Sequence, residues 1–177
     1  MFKILNIFEI VSDYLTYMKK DLKLVPFFVN LILIPLALTA ILYLSVTDIK
    51  RLANTLIIIT SIFVPLLLNI LLIVHYSVER TKNSPKKVTT LKLEFLQHIN
   101  ATASMVILLS MLILFLSIII INFDLSSRFE YLSFFVKCIF FLLVAFMFIN
   151  ILITLIRTYR LIKYEIQEQT RNIDERG

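Results

Sequence analysis

Glycine is almost absent from this chain of 177 residues, which contains only Gly177. Glycine-rich loops bring backbone amides close to phosphates, and a GxxxG pair lets two membrane helices approach each other closely. The sequence therefore excludes a dinucleotide-binding fingerprint, a phosphate-binding loop and a GxxxG contact. Broken-helix transporters commonly use glycine or proline at the binding site, so the shortage also weighs against that class.

Cysteine is equally scarce, and the recognisable catalytic motifs are missing. The single Cys138 excludes an intrachain disulfide, and its apolar neighbours indicate a small buried hydrophobe. The sequence contains neither HExxH nor GxSxG, and no pair of carboxylates lies within an apolar run. We therefore expect a protein that is not an enzyme and that has no metal site and no cofactor.

Charge is the third scarcity, and it identifies the class of protein. Charged residues make up 17% of the chain and hydrophobic residues 59%, whereas globular proteins have about 25% and about 45–50%. A span needs roughly 20 mainly apolar residues to cross the bilayer. Four runs meet this requirement, at 24–46, 52–77, 100–122 and 131–157. The sequence predicts an all-α polytopic membrane protein in which four transmembrane helices form two hairpins joined by a basic loop at 79–99.

The distribution of lysine and arginine predicts the orientation. Four lie before the first run, five in the central loop and five from Arg157 onward, against four in the two other connections. Positive residues accumulate on the cytoplasmic side. We therefore expect an inner-membrane protein with both termini cytoplasmic. Anionic lipid explains the net charge of +6, so we expect no direct binding to nucleic acid.

The first 22 residues have the pattern of an amphipathic helix. Apolar residues recur at intervals of three or four, at Ile4, Phe8, Val11, Leu15 and Met18. One interpretation places this helix in the inner interface, with Tyr14 and Tyr17 near the headgroups. The other packs it on the cytoplasmic ends of the bundle.

Three asparagines lie in the apolar runs: Asn30, Asn69 and Asn150. Counted from the cytoplasmic ends, they lie within about one helical turn of a common depth. An unpaired amide in hydrocarbon is costly, so we expect the three to turn inward. They serve either as structural bonds between helices or as a polar constriction that contacts a ligand. Pro35 and Pro65 should bend the first two helices.

The third run carries small side chains every seven residues, at Ala103, Ser110 and Ser117. Such a stripe predicts close packing against another helix, which the sequence does not identify.

Lys137 is the one charged residue with strongly apolar neighbours on both sides. We expect it to reach the outer interface or to pair with an acid such as Glu130, Asp124 or Asp48; a role in a pore is the alternative.

His75 and His98 lie at cytoplasmic edges of spans. An interfacial structural role is the simpler interpretation, and a metal pair or a pH switch is the other.

The tail, at 158–177, predicts a contact with another protein. Apolar side chains follow a helical stripe there, at Tyr159, Ile162, Ile166 and Ile173. Water cannot satisfy such a stripe, so it should bind a protein surface. The expected partners are the lipid bilayer, further copies of the chain, and a cytoplasmic protein that binds the central loop and the tail.

These features favour a non-enzymatic inner-membrane subunit that oligomerises and anchors a cytoplasmic partner or signals to it. In span count, termini and length the chain is similar to small four-span bacterial proteins of toxin and phage-defence operons. Examples are the immunity proteins against pore-forming colicins and the membrane subunit of the Kiwa anti-phage system. The resemblance implies either an anchor for a cytoplasmic effector or a protein that blocks a toxin in the bilayer. A subunit of an oligomeric channel is the remaining alternative.

Overall fold

A computed structural model describes residues 7–21, 28–82, 89–122 and 130–174, and nearly every residue in these ranges is helical. Some side chains within the helices lie outside the description, among them those of Asn30 and Ile173, two of the predicted site residues. There are five α-helices in the described ranges: α1 (Ile7–Asp21), α2 (Ile34–Ser45), α3 (Ile49–Lys82), α4 (Thr89–Asn122) and α5 (Glu130–Asp174).

Three of these helices are long and apolar enough to cross a membrane. The candidate spans are Ile49–Tyr76 in α3, Leu93–Asn122 in α4 and Ser133–Lys163 in α5. The predicted first span is represented by a shorter apolar segment, Leu31–Ser45, which has about 22 Å of helical rise. The structure thus supports a membrane protein with at least three candidate spans among the described residues.

The two prolines of the apolar helices have different effects. A π-helical turn at Val29–Leu33 directly precedes Pro35, and the N–H of Ile34 donates to the carbonyl of Val29, five residues back. Because proline has no N–H, the normal bonding pattern cannot continue through it, and the wider turn accommodates this. Pro65, in contrast, lies inside the uninterrupted helix α3.

The two predicted hairpins differ in packing: the helices of the second, α4 and α5, pack on each other, whereas those of the first, α2 and α3, do not pack extensively. Helix α3 packs on α4 and α4 on α5, whereas α2 packs on α5, and α2 with α3 is not among the extensively packed pairs of described helices. Only Val46, Thr47 and Asp48 separate α2 from α3. Such a connection holds the helix ends together but does not align their lengths. Asp48 caps α3, since its Oδ1 accepts a hydrogen bond of 3.0 Å from the N–H of Arg51.

Helix α1 packs against the bundle. It packs on α4, with Tyr14 2% exposed and Met18 1% exposed in the main hydrophobic core. The predicted stripe is rotated, because Phe8 is 84% exposed and Leu15 39% exposed. The difference arises because Tyr14, which one interpretation of the sequence placed near the headgroups, is the largest fully buried side chain of this helix. Of the two interpretations, packing on the bundle describes α1 better.

Candidate functional site

A row of buried polar side chains runs along one face of α5. Asn150, Thr154 and Arg157 are separated by four and three residues, which places them on one side of a helix. Their exposed fractions are 0%, 1% and 9%. Asn150 donates from Nδ2 to the carbonyl of Phe146 at 2.8 Å, and the Thr154 hydroxyl donates to the carbonyl of Asn150 at 2.8 Å. The row therefore brings an amide and a permanent positive charge into the interior of the bundle.

Helix α1 covers this row. The ring of Tyr14 meets the ring of Phe146 edge to face, with centroids 6.2 Å apart, and its hydroxyl interacts with the side chain of Asn150. One turn later, the Met18 sulfur lies 3.5 Å from Nη2 of Arg157. Tyr14 and Met18 thus connect the N-terminal helix to the polar row at two successive turns.

The environment of Tyr14 keeps its hydroxyl protonated. Helix α1 lies outside the three candidate spans, yet burial raises the pKa of Tyr14 to about 12. The interaction with Asn150 and the positive charge of Arg157 act in the opposite direction, and burial is the larger effect. At neutral pH the side chain is therefore a neutral phenol.

His98 on α4 belongs to the same end of the bundle. It is 4% exposed, and its ring lies 4.7 Å from the ring of Tyr17, centroid to centroid. The carbonyl of His98 accepts a hydrogen bond of 2.9 Å from the Thr102 hydroxyl. The contact with Tyr17 of α1 gives this histidine a place in the packing between α1 and α4. His75, in contrast, is exposed on α3, with Nε2 3.9 Å from Oε1 of Glu79.

The predicted meeting of three asparagines in the interior does not hold for Asn69. Asn150 is buried, but Asn69 is exposed on α3, on the side of that helix away from the core. The prediction came from counting residues along each helix, and such a count carries no information about which face of the helix is turned inward. Asn30 belongs to the side chains outside the description.

The small residues of α4 lie inside the bundle. Ala103, Ser110 and Ser117 are each 0% exposed, and the Ser110 hydroxyl, which donates to the carbonyl of Val106 at 2.8 Å, also lies 3.5 Å from the sulfur of Met147 on α5. At Ser110 the neighbouring helix is therefore α5, an assignment that the sequence left open.

Lys137 is half-buried on α5. Of its three suggested partners, Asp48 is exposed and caps α3. Asp124 and the side chain of Glu130 lie outside the described residues.

The tail residues that the structure describes are on the surface. Tyr159, Ile162 and Ile166 are 67%, 51% and 59% exposed. The helix that carries them is continuous with the last candidate span and ends at Asp174. Tyr159 follows the buried Arg157 by two residues, so the exposed stripe begins where the polar row ends.

Two members of this site, Tyr14 and Arg157, were missed as buried residues. The sequence reasoning assigned Tyr14 to the headgroups and counted Arg157 only as a positive flanking charge. A signal was present: Arg157 lies seven residues after Asn150 and therefore on the same helical face. The arrangement connects α1 to the part of α5 that directly precedes the exposed stripe of Tyr159, Ile162 and Ile166. Beyond the candidate span, from 164 to 174, α5 continues as a segment that we call the α5 extension.

No protein-family model, no curated protein and no solved structure matches this chain.

Proposed function

We propose that this protein is a non-enzymatic subunit of a bacterial inner membrane that oligomerises and binds a cytoplasmic protein through the extension of α5. In this proposal the chain crosses the membrane four times, with α2 and the residues before it as the first span. Both termini and the basic central segment are then cytoplasmic, as the distribution of lysine and arginine favours. The resemblance in architecture to membrane components of phage-defence operons fits an anchoring or signalling role.

The exposed stripe of α5 carries the proposal. The last candidate span ends at Lys163, but the helix continues to Asp174. The whole helix has 45 residues and a rise of about 67 Å, roughly twice the thickness of the hydrocarbon core. Part of it therefore projects beyond the membrane. Ile166 lies in the projecting part and is 59% exposed, and Ile162 and Tyr159 continue the same stripe within the last residues of the candidate span.

A protein surface is the occupant that best suits such a stripe. Apolar side chains three and four residues apart on one helix are the anchors by which a helix binds a hydrophobic groove. Arg160 and Lys163 are also exposed on this segment, and they favour a partner with acidic residues at the edge of that groove.

The test uses the tagged full-length chain expressed in its native host. The double substitution Ile162→Ser and Ile166→Ser should abolish copurification of the soluble protein that mass spectrometry identifies with the wild-type chain. The matched control is Arg160→Ser with Lys163→Ser, which alters the same helix but leaves the stripe intact. It should weaken binding only modestly and increase its sensitivity to salt.

Two results would contradict the proposal. If no soluble protein copurifies with the wild-type chain after crosslinking in intact cells, the chain does not act as an anchor. If the double serine variant retains its biological activity while substitutions in the spans abolish it, a protein that blocks a toxin within the bilayer becomes the better description.

A further inference from the structure

Helix α3 presents two opposite faces, and only one of them is covered. The buried face consists of Ala53, Leu56, Thr60, Leu67 and Val74. At 100° per residue, the positions directly opposite form a second line, which we call the outer face. It consists of Ile58, Ile62, Pro65, Asn69, Leu72 and Tyr76, all of them exposed.

The outer face has the spacing of a helix-packing seam. Its six members are separated by four, three, four, three and four residues. This is the seven-residue repeat by which two helices pack in a left-handed crossing.

Polar groups near the middle of the outer face require a partner. Asn69 lies seven residues from the end of the candidate span Ile49–Tyr76, about 10 Å inside it. Asn122 and Asn150 each donate from Nδ2 to the carbonyl four residues back, at 2.8 Å. Asn69 makes no side-chain hydrogen bond within the described part of the chain. Pro65, one turn earlier, leaves the carbonyl of Ser61 without its usual helical donor.

We propose that the outer face of α3 is the interface between two copies of this chain, with the two Asn69 side chains hydrogen-bonded to each other across a two-fold axis. An amide both donates and accepts, so it is complementary to itself. Two copies inserted in the same orientation place their amides at the same depth, which an unrelated helix would match only by chance. A single asparagine in such a seam fixes the register of the pair. Lipid tails offer the amide no partner at all.

This inference rests on the oligomerisation in the proposed function and names its surface. The experiment uses the full-length protein in vesicles of phosphatidylethanolamine and phosphatidylglycerol. Fluorescence energy transfer between two labelled populations, measured at decreasing protein-to-lipid ratios, gives the dimerisation constant. The substitution Asn69→Leu should weaken dimerisation roughly three- to thirty-fold. Because leucine is more apolar, it does not impair insertion.

The matched control is Asn122→Leu, since Asn122 is also exposed but already bonded within its own helix. It should leave the dimerisation constant unchanged. If Asn69→Leu has no larger effect than this control, the inference is overturned.

Oxidative crosslinking tests the face independently. In a Cys138→Ala background, Ile62→Cys and Leu72→Cys should form dimers on oxidation, because both lie on the outer face. The controls are Phe63→Cys and Leu68→Cys, which are exposed on α3 but about 100° or more away from Asn69. Equal crosslinking at all four positions, or crosslinking only at the controls, would overturn the inference.

The outcomes separate this inference from the proposed function. A dimer that crosslinks through another surface overturns only the outer face as the interface. A chain that stays monomeric at every protein-to-lipid ratio overturns the inference and the oligomerisation together, including the case in which a different protein covers the outer face. Neither result alters the test of the α5 extension, because that test measures whether a soluble protein copurifies with the chain.

Discussion

Asn150 and Asn69 are the same residue at similar predicted depths, yet they have opposite environments. Asn150 is fully buried, is hydrogen-bonded to its own helix and interacts with Tyr14. Asn69 is exposed on the side of α3 that faces away from the bundle. The comparison teaches that a polar residue in a span has two ways to be satisfied, within its own chain or by a neighbouring molecule. Four pairs of measurements test the contrast between the inner and outer surfaces.

The largest effect is expected at Tyr14, which fills the interface between α1 and the polar row. Tyr14→Ala removes a ring that is 2% exposed and its interaction with Asn150, and should lower the free energy of unfolding by about 3 kcal/mol or more. Phe8→Ala removes a ring that is 84% exposed on the same helix. It should change the free energy of unfolding by less than about 0.5 kcal/mol. Equilibrium unfolding in detergent measures both. Equal effects would mean that α1 is not packed in the bundle.

Next in size is the insertion of volume between α4 and α5. Ser110→Leu places a larger side chain where Ser110 is 0% exposed and lies close to Met147, so it should destabilise the bundle by about 1–3 kcal/mol. Ser61→Leu is the matched control, since Ser61 is exposed on α3 and also bonds its own helix. The same unfolding measurement should show no loss for the control. A tolerated Ser110→Leu would contradict close packing at this position.

The two asparagines provide the direct comparison. Asn150→Leu removes a buried amide that interacts with Tyr14, which should lower stability by about 1–2 kcal/mol. Asn69→Leu should leave the unfolding free energy of the monomer unchanged or raise it slightly. Measurements at high detergent-to-protein ratio isolate the monomer. If Asn69→Leu is the more damaging of the two, the assignment of inner and outer faces is wrong.

The smallest effect concerns the titration of Tyr14. Its folded pKa, about 12, lies above the value of 10.0 expected for an unperturbed tyrosine. A raised pKa favours the protonated form, so its contribution to stability is fully present below pH 10.0 and is lost as the pH rises toward 12. The near-ultraviolet absorbance of tyrosinate should show a late-titrating group that disappears in Tyr14→Phe. Ionisation of Tyr14 together with the exposed tyrosines would contradict its burial.

The sequence alone predicted the membrane class, the helical content and three of the spans. A chain of long apolar runs separated by charged residues can adopt few structures other than a set of membrane-spanning helices. Hydrophobicity is a property of each run by itself, so no knowledge of the neighbouring helices was needed.

Only the tertiary structure decided which surfaces meet. In an apolar span nearly every face is hydrophobic, so the pattern does not indicate the side that turns inward, and the seven-residue stripe of Ala103, Ser110 and Ser117 was informative because small side chains break that uniformity. Packing placed α2 on α5, buried Tyr14 and Arg157 together, and left Asn69 outside. These outcomes depend on contacts between residues far apart in the chain, which local composition does not encode.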